Sequence, residues 1–189
     1  MFKKSPKKTD SPPTQENDDL DSEEIADEEL KDDIANVEAL IIKARAGGSP
    51  NDNLQVALKA SQLADLYFEA LEEISDMFIH YKEVAAEYYQ KVGKMSGMQD
   101  SDILGVLMYL QANMVDKARH LLNKTKTIQK KGKGFISPDE IVVSVCQEII
   151  TNNVTEAEKK VKDVFYVLNE DIKNEVLRTF KYMSAFKRK

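Results

Sequence analysis

The sequence predicts an all-α fold, arranged as a solenoid of helix pairs with about seven helices. The 189 residues include only seven glycines and five prolines, while alanine, leucine, glutamate and lysine are frequent. Hydrophobic residues make up 42% of the chain, enough for a core, yet no apolar run approaches the roughly 18 residues that span a bilayer. In addition, the segment that starts at Asn152 repeats features of the one that starts at Asn113.

The internal repeat has a period of 39 residues. Its shared positions are Asn113, Val115 and Ala118 in the first copy and Asn152, Val154 and Ala157 in the second. Asparagine tolerates the left-handed conformation that ends a helix, and a small alanine lets two helices cross closely. A period of this size is typical of two-helix solenoids. The first copy also matches the tetratricopeptide spacing, at Tyr109, Asn113, Ala118 and Leu122.

Helix boundaries follow from turn formers and capping residues. Ser49, Pro50 and Asp52 predict one helix start, as do the capping boxes that begin at Ser137 and at Thr155. No glycine or proline separates residues 49–71 from 73–95, but one helix of roughly 66 Å would be too long for this domain, so we predict a turn at 71–76. The predicted helices are 22–45, 49–71, 73–95, 102–112, 115–129, 138–152, 155–168 and 170–186.

Charge divides the chain into a tail and a folded part. Residues 1–36 carry a net charge of −7 and the remainder a net of +1. We expect residues 1–21 to be a disordered tail, because they are polar and contain proline, and residues 22–186 to form the helical-repeat domain. Phe2 and the four nearby lysines (Lys3, Lys4, Lys7 and Lys8) are either a weak peripheral membrane contact or an ordinary solvated terminus.

The densest basic run outside the termini lies between residues 124 and 133. It is either a patch for an acidic partner or a solvated loop. The candidate partner-binding residues are Lys117, Arg119, Lys124, Lys126, Lys130, Lys131 and Lys133. Nucleic acid is a poorer partner, because the folded part is near neutral and lacks evident exposed aromatics for base stacking.

The sequence contains no pattern that indicates catalysis. His80 and His120 are far apart and neither has metal-ligand spacing. Cys146 lies on an apolar stripe, which predicts a buried thiol, and a single cysteine fits a reducing, cytoplasmic location. No glycine-rich phosphate loop has the required spacing. We therefore expect no enzyme activity, no metal, no cofactor and no small-molecule substrate.

The second half of the chain resembles the soluble NSF attachment protein (SNAP) family of helical solenoids. The resemblance covers residues 54–186 and is strongest in "VLMYLQANMVDKARHLL", "GFISPDEIVVSVCQEIITNNVTEAEKKV" and "VFYVLNEDIKNEVLRTFKYM". It implies an adaptor in vesicle trafficking or fusion, which binds acidic SNARE-like coiled-coil bundles and presents its C-terminal end to an AAA+ ATPase. In that end, the resemblance points to Glu170, Asp171, Glu175, Leu177 and Arg178. The alternative is a general tetratricopeptide-like scaffold for a peptide or another subunit, unrelated to fusion.

Overall fold

The computed structural model describes the backbone of residues 18–97, 99–129, 138–164, 166 and 168–187. These residues form eight α-helices and no strand, which confirms the all-α prediction. The helices are α1 (Asp18–Arg45), α2 (Pro50–Leu71), α3 (Asp76–Ser96), α4 (Gln99–Gln111), α5 (Val115–Gln129), α6 (Pro138–Ile150), α7 (Val154–Val164) and α8 (Glu170–Phe186). None of the described helices is long and apolar enough to cross a membrane.

The predicted break between α2 and α3 is present. Glu72 follows α2 with a left-handed φ of 52°, and the Ser75 hydroxyl accepts a hydrogen bond from the Phe78 backbone N–H at 3.1 Å. The capping box of α2 is also present, with Asp52 N–H donating to Ser49 and Ser49 N–H donating to Asp52. Both helices therefore begin with satisfied N–H groups, and a compact hairpin replaces a single long helix.

Other boundaries differ from the sequence prediction. Helix α1 begins at Asp18, inside the segment predicted to be a disordered tail, whose residues 1–17 lie outside the described part. Helix α4 begins three residues earlier than predicted, and α7 ends at Val164 rather than near Leu168. Thr155 lies within the first turn of α7 instead of capping it, because Asn153 already accepts the first helical bond, from Ala157 N–H. The predicted cap at Ser137 lies outside the described residues.

The two copies of the repeat have the same turn geometry. Asn113 and Asn152 have left-handed φ angles of 57° and 62°. After α4, Met114 N–H bonds to Tyr109 C=O at 2.8 Å, and after α6, Asn153 N–H bonds to Glu148 C=O at 2.8 Å. These are the six-to-one bonds of a Schellman motif. Ala118 and Ala157, which follow the two turns, are both completely buried. This agrees with the prediction that a small residue at this position allows two helices to pack closely.

Each helix from α1 to α6 packs against the next helix in the chain, as expected for stacked pairs, and α4 also contacts α6. Helix α8 does not continue this order. It returns to pack on α4, and its side chains also reach α2 and α3. Three alanines of α2, at positions 57, 60 and 64, are fully buried and allow the close approach of neighbouring helices. The C-terminal helix thus packs on helices from the first half of the chain.

Substitutions at the repeated turns test their shared geometry. Asn113→Val and Asn152→Val should each destabilise the fold by about 1–2 kcal/mol, because a β-branched residue is strained at positive φ. Asn113→Gly and Asn152→Gly serve as controls and should be near neutral. Chemical denaturation followed by circular dichroism measures the difference. If valine were tolerated at either position as well as glycine, that turn would not have the described conformation.

Candidate functional site

Helix α8 carries the residues predicted to meet a partner, so its surroundings decide what they can do. Asn169 caps the helix by accepting a hydrogen bond from Asp171 N–H at 2.9 Å. The buried side chains recur every three or four residues and form one stripe. They are Ile172, Glu175, Val176, Thr179 and Tyr182. Three of the five are polar, so α8 meets the rest of the fold through a hydrogen-bonded interface.

The centre of this interface is the ammonium group of Lys82, on α3. The lysine side chain is fully buried, and its Nζ lies 2.7 Å from Asp65 Oδ1 and 2.9 Å from Ser61 Oγ. The same Nζ lies 5.3 Å from the ring centroid of Tyr182 and 5.7 Å from that of Phe78. Two α2 side chains and two aromatic rings therefore surround a single buried cation, at distances that permit ion pairing and cation–π attraction.

Helix α8 completes this arrangement. The Tyr182 hydroxyl donates to Asp65 Oδ1 at 2.6 Å, and Arg178 Nη1 lies 3.1 Å from Asp65 Oδ2. Arg178 Nη1 also pairs with Glu175 at 2.7 Å, and the Gln111 amide of α4 donates to Glu175 Oε2 at 2.9 Å. The network thus holds two cations and two carboxylates and joins four helices. We call the group Ser61, Asp65, Lys82, Gln111, Glu175, Arg178 and Tyr182 the α8 clamp.

Burial shifts the titration of the clamp. It lowers the pKa of Lys82, against the opposing attraction of Asp65 and Glu175. Burial also raises the pKa of the Tyr182 phenol, and its hydrogen bond to Asp65 adds to the shift. A buried ion pair contributes little net stability but is costly to break, because the remaining charge has no other partner. The clamp is therefore suited to fixing the position of α8.

The predicted ATPase-end residues divide into two groups. Glu175 and Arg178 belong to the clamp, so internal partners already occupy their charged groups. Glu170 pairs with Lys173 at 2.9 Å, and Asp171 is exposed. The side chain of Leu177 is 45% exposed and points away from the clamp. Of the five, Leu177 is the apolar side chain that α8 presents to the surface.

Leu177 lines a groove between α7 and α8. This α7–α8 groove has a volume of about 480 Å³ and is lined by Glu158, Val161, Lys162, Tyr166, Leu177 and Phe180. Tyr166 is 94% exposed although it lines an apolar surface. Val161 and Phe180 were not predicted as site residues. Each lies three positions after another groove residue, Glu158 and Leu177 respectively, and this helical spacing could have indicated them. The groove can accept an apolar side chain from a binding partner, and it has opposite charges at its rim.

The predicted basic patch is only partly placed by the structure. Lys117 pairs with Glu83 of α3, which raises the pKa of the lysine, and Arg119 pairs with Asp116 at 2.7 Å. Lys124 is exposed. The side chain of Lys126 and the residues Lys130, Lys131 and Lys133 lie outside the described part of the chain. The two cations placed on the first turns of α5 are therefore partly neutralised by nearby carboxylates.

The cysteine and the two histidines were also considered in the sequence as candidate site residues. The prediction that Cys146 is buried is confirmed. His80 is exposed beside the ring of Tyr81, with 5.1 Å between ring centroids. Within the described residues, no group of three histidine, cysteine, aspartate or glutamate side chains is positioned to hold a metal ion.

Comparison with known proteins gives no relative from which a function can be transferred. No protein-family model, no curated protein and no solved structure matches this chain. The likeness to SNAP proteins therefore rests on helix order and spacing alone.

The clamp is tested by removing each member of its central pair. Asp65→Leu leaves the Lys82 ammonium buried without a carboxylate and should destabilise the fold by about 3–5 kcal/mol. Lys82→Met should cost less, because Arg178 and Tyr182 still satisfy Asp65. The double variant Asp65→Leu/Lys82→Met should regain much of the loss in urea denaturation. Additive losses in the double variant would show that the two side chains are not coupled.

Proposed function

We propose that this chain is a non-catalytic helical-repeat adaptor that binds other proteins. The observation that carries the proposal is the α7–α8 groove, an apolar surface of which Leu177 is part. Stacked helix pairs present continuous surfaces, and apolar grooves between their helices commonly receive a partner helix. The clamp supports this role because its contacts with α2, α3 and α4 fix the position of α8, the helix that carries Leu177 and Phe180.

The specific form of the proposal is a SNAP-like adaptor. In this form, the basic residues of α5 and of the segment that follows it bind an acidic SNARE-like coiled-coil bundle. The end that carries Asp171 and Leu177 meets an AAA+ ATPase, which disassembles the bundle during vesicle trafficking or fusion. The adaptor would work in the cytoplasm and reach membranes through its partners. Its support is the order of helices and turns from α4 to α8.

A second candidate is a general tetratricopeptide-like scaffold with no link to fusion. The ion pairs of Lys117 with Glu83 and of Arg119 with Asp116 favour it, because they reduce the positive charge offered to an acidic bundle. In this form the α7–α8 groove receives a single helix or extended peptide. The two candidates therefore differ in which surface provides the affinity.

The basic surface decides between them. Purified protein should bind a purified acidic four-helix SNARE bundle with an affinity that falls as salt rises, and Lys130→Glu/Lys131→Glu/Lys133→Glu should weaken binding about tenfold or more. A matched triple variant, Lys31→Glu/Lys59→Glu/Lys159→Glu, has the same charge change on α1, α2 and α7 and leaves the α7–α8 groove unchanged. Equal loss in both variants, or no binding by the wild-type chain, would overturn the SNAP-like form.

The groove is tested by a charge at its apolar wall. Leu177→Glu should abolish binding of a helical partner while the fold remains intact, because the side chain is already half exposed. Leu66→Glu is the control, since Leu66 is an exposed leucine of α2 with a similar exposed fraction, 41% against 45%. Isothermal titration calorimetry with the partner measures both. A partner that binds both variants as tightly as the wild type does not use the groove.

A further inference from the structure

A second cavity lies where the turn after α1 meets the end of α3. This turn cleft has a volume of about 430 Å³ and is lined by Ala44, Arg45, Gly47, Gly48, Asn53, Lys91, Lys94 and Met95. Three cationic side chains and no carboxylate line it. Two other cavities among the described residues have mixed charges: Glu158 and Lys162 both line the α7–α8 groove, and Asp33 accompanies Lys43 and Lys59 in a cavity between α1 and α2.

The cations of the turn cleft form no ion pair within the described residues, although the carboxylate of Asp102 attracts Lys94 electrostatically. Arg45 and Lys94 form no ion pair there, and Lys91 has only the face of the Tyr88 ring, 3.6 Å from its Nζ to the centroid. The nearby carboxylate of Asp52 is taken by Lys43 at 2.7 Å. Like charges that line one cleft and form no ion pair repel one another, and an anion in the cleft reduces this repulsion.

The cleft is also held in shape. Gly48 lies so close to α1 that an added Cβ would meet Ala44 Cα at 2.6 Å, and Gly48 N–H bonds to Ala44 C=O at 3.0 Å. The buried Asn53 amide donates to Ser49 C=O at 2.9 Å and to Met95 Sδ at 3.4 Å. The α1–α2 turn is thereby joined to the last turn of α3. This contact brings Arg45 next to Lys91 and Lys94.

We propose that the turn cleft binds a phosphate-bearing ligand. A guanidinium can hold two phosphate oxygens at once, while two ammonium groups supply point charges for the rest of a dianion. A single carboxylate would leave two of the three cations uncompensated. The inference goes beyond the adaptor function, because the ligand is a phosphate ester and the site lies on α1 and α3, away from the α7–α8 groove.

The test measures binding of inositol hexakisphosphate to the whole chain by isothermal titration calorimetry at low salt. Lys91→Gln/Lys94→Gln should weaken binding about tenfold or more, and Arg45→Gln should act in the same direction. The matched control is Lys31→Gln/Lys159→Gln, which removes two exposed lysines that line neither the turn cleft nor the α7–α8 groove. Circular dichroism confirms that each variant folds. Absence of binding, or equal loss in the control, would overturn the proposal.

A second arm identifies the source of the phosphate. Flotation with phosphatidylcholine vesicles is compared with flotation with vesicles that also contain phosphatidylinositol bisphosphate. Capture by the phosphoinositide vesicles alone, lost in Lys91→Gln/Lys94→Gln, supports a lipid headgroup, and the exposed Ile42 and Met95 beside the cations would then face the bilayer. Binding of the soluble phosphate without capture supports a free ligand. Neither arm uses a protein partner, so failure here leaves the adaptor function untouched.

Discussion

The position of α8 depends on the buried ammonium group of Lys82. A cation in a protein interior requires a carboxylate and hydrogen-bond acceptors, because its desolvation is otherwise too costly. Asp65 and Ser61 of α2 supply these groups, but Asp65 is itself shared with Arg178 and Tyr182 of α8. The two-helix hairpin of α2 and α3 therefore contains a charged centre that only α8 completes. This explains why the last helix leaves the stacking order and returns to the middle of the chain.

Fixing α8 through polar contacts has a consequence for its outer surface. In most amphipathic helices the apolar stripe faces the core and the polar side faces water. On α8, the polar side chains of Glu175, Thr179 and Tyr182 face inward together with Ile172 and Val176, whereas Leu177 and Phe180 line a groove that is open to solvent. Polar interfaces specify one arrangement more strictly than they add stability. The helix can therefore present apolar side chains outward without rotating to bury them.

The repeat was predictable from the sequence and the clamp was not. Asn113 and Asn152 indicate their turns because few other residues adopt positive φ easily, and the cap of α2 follows from local residue order. The Lys82–Asp65 pair joins two helices, and Tyr182, which also bonds to Asp65, lies 117 residues further along the chain. Patterns within a short stretch of sequence therefore cannot predict this network. One signal was present: Lys82 follows Phe78 by four positions and precedes Ala85 by three, which places a lysine on the apolar stripe of α3.

Local preferences at helix ends explain each basic residue of the turn cleft, but they do not explain why these residues line one cavity. Cations are favoured in the last turn of a helix, where they meet the negative end of its dipole, and Arg45 in α1 and Lys94 in α3 both occupy such positions. Because α1 and α3 end on the same side of the fold, stacking alone would collect basic residues there. Stacking does not require these residues to surround a cavity, or the Asn53 amide to join the turn to Met95. The hydrogen bond from Asn53 to Met95 joins the turn after α1 to the end of α3, so that the basic residues of both helix ends line one cleft. A cleft lined by charges of one sign has a lower energy when an anion occupies it.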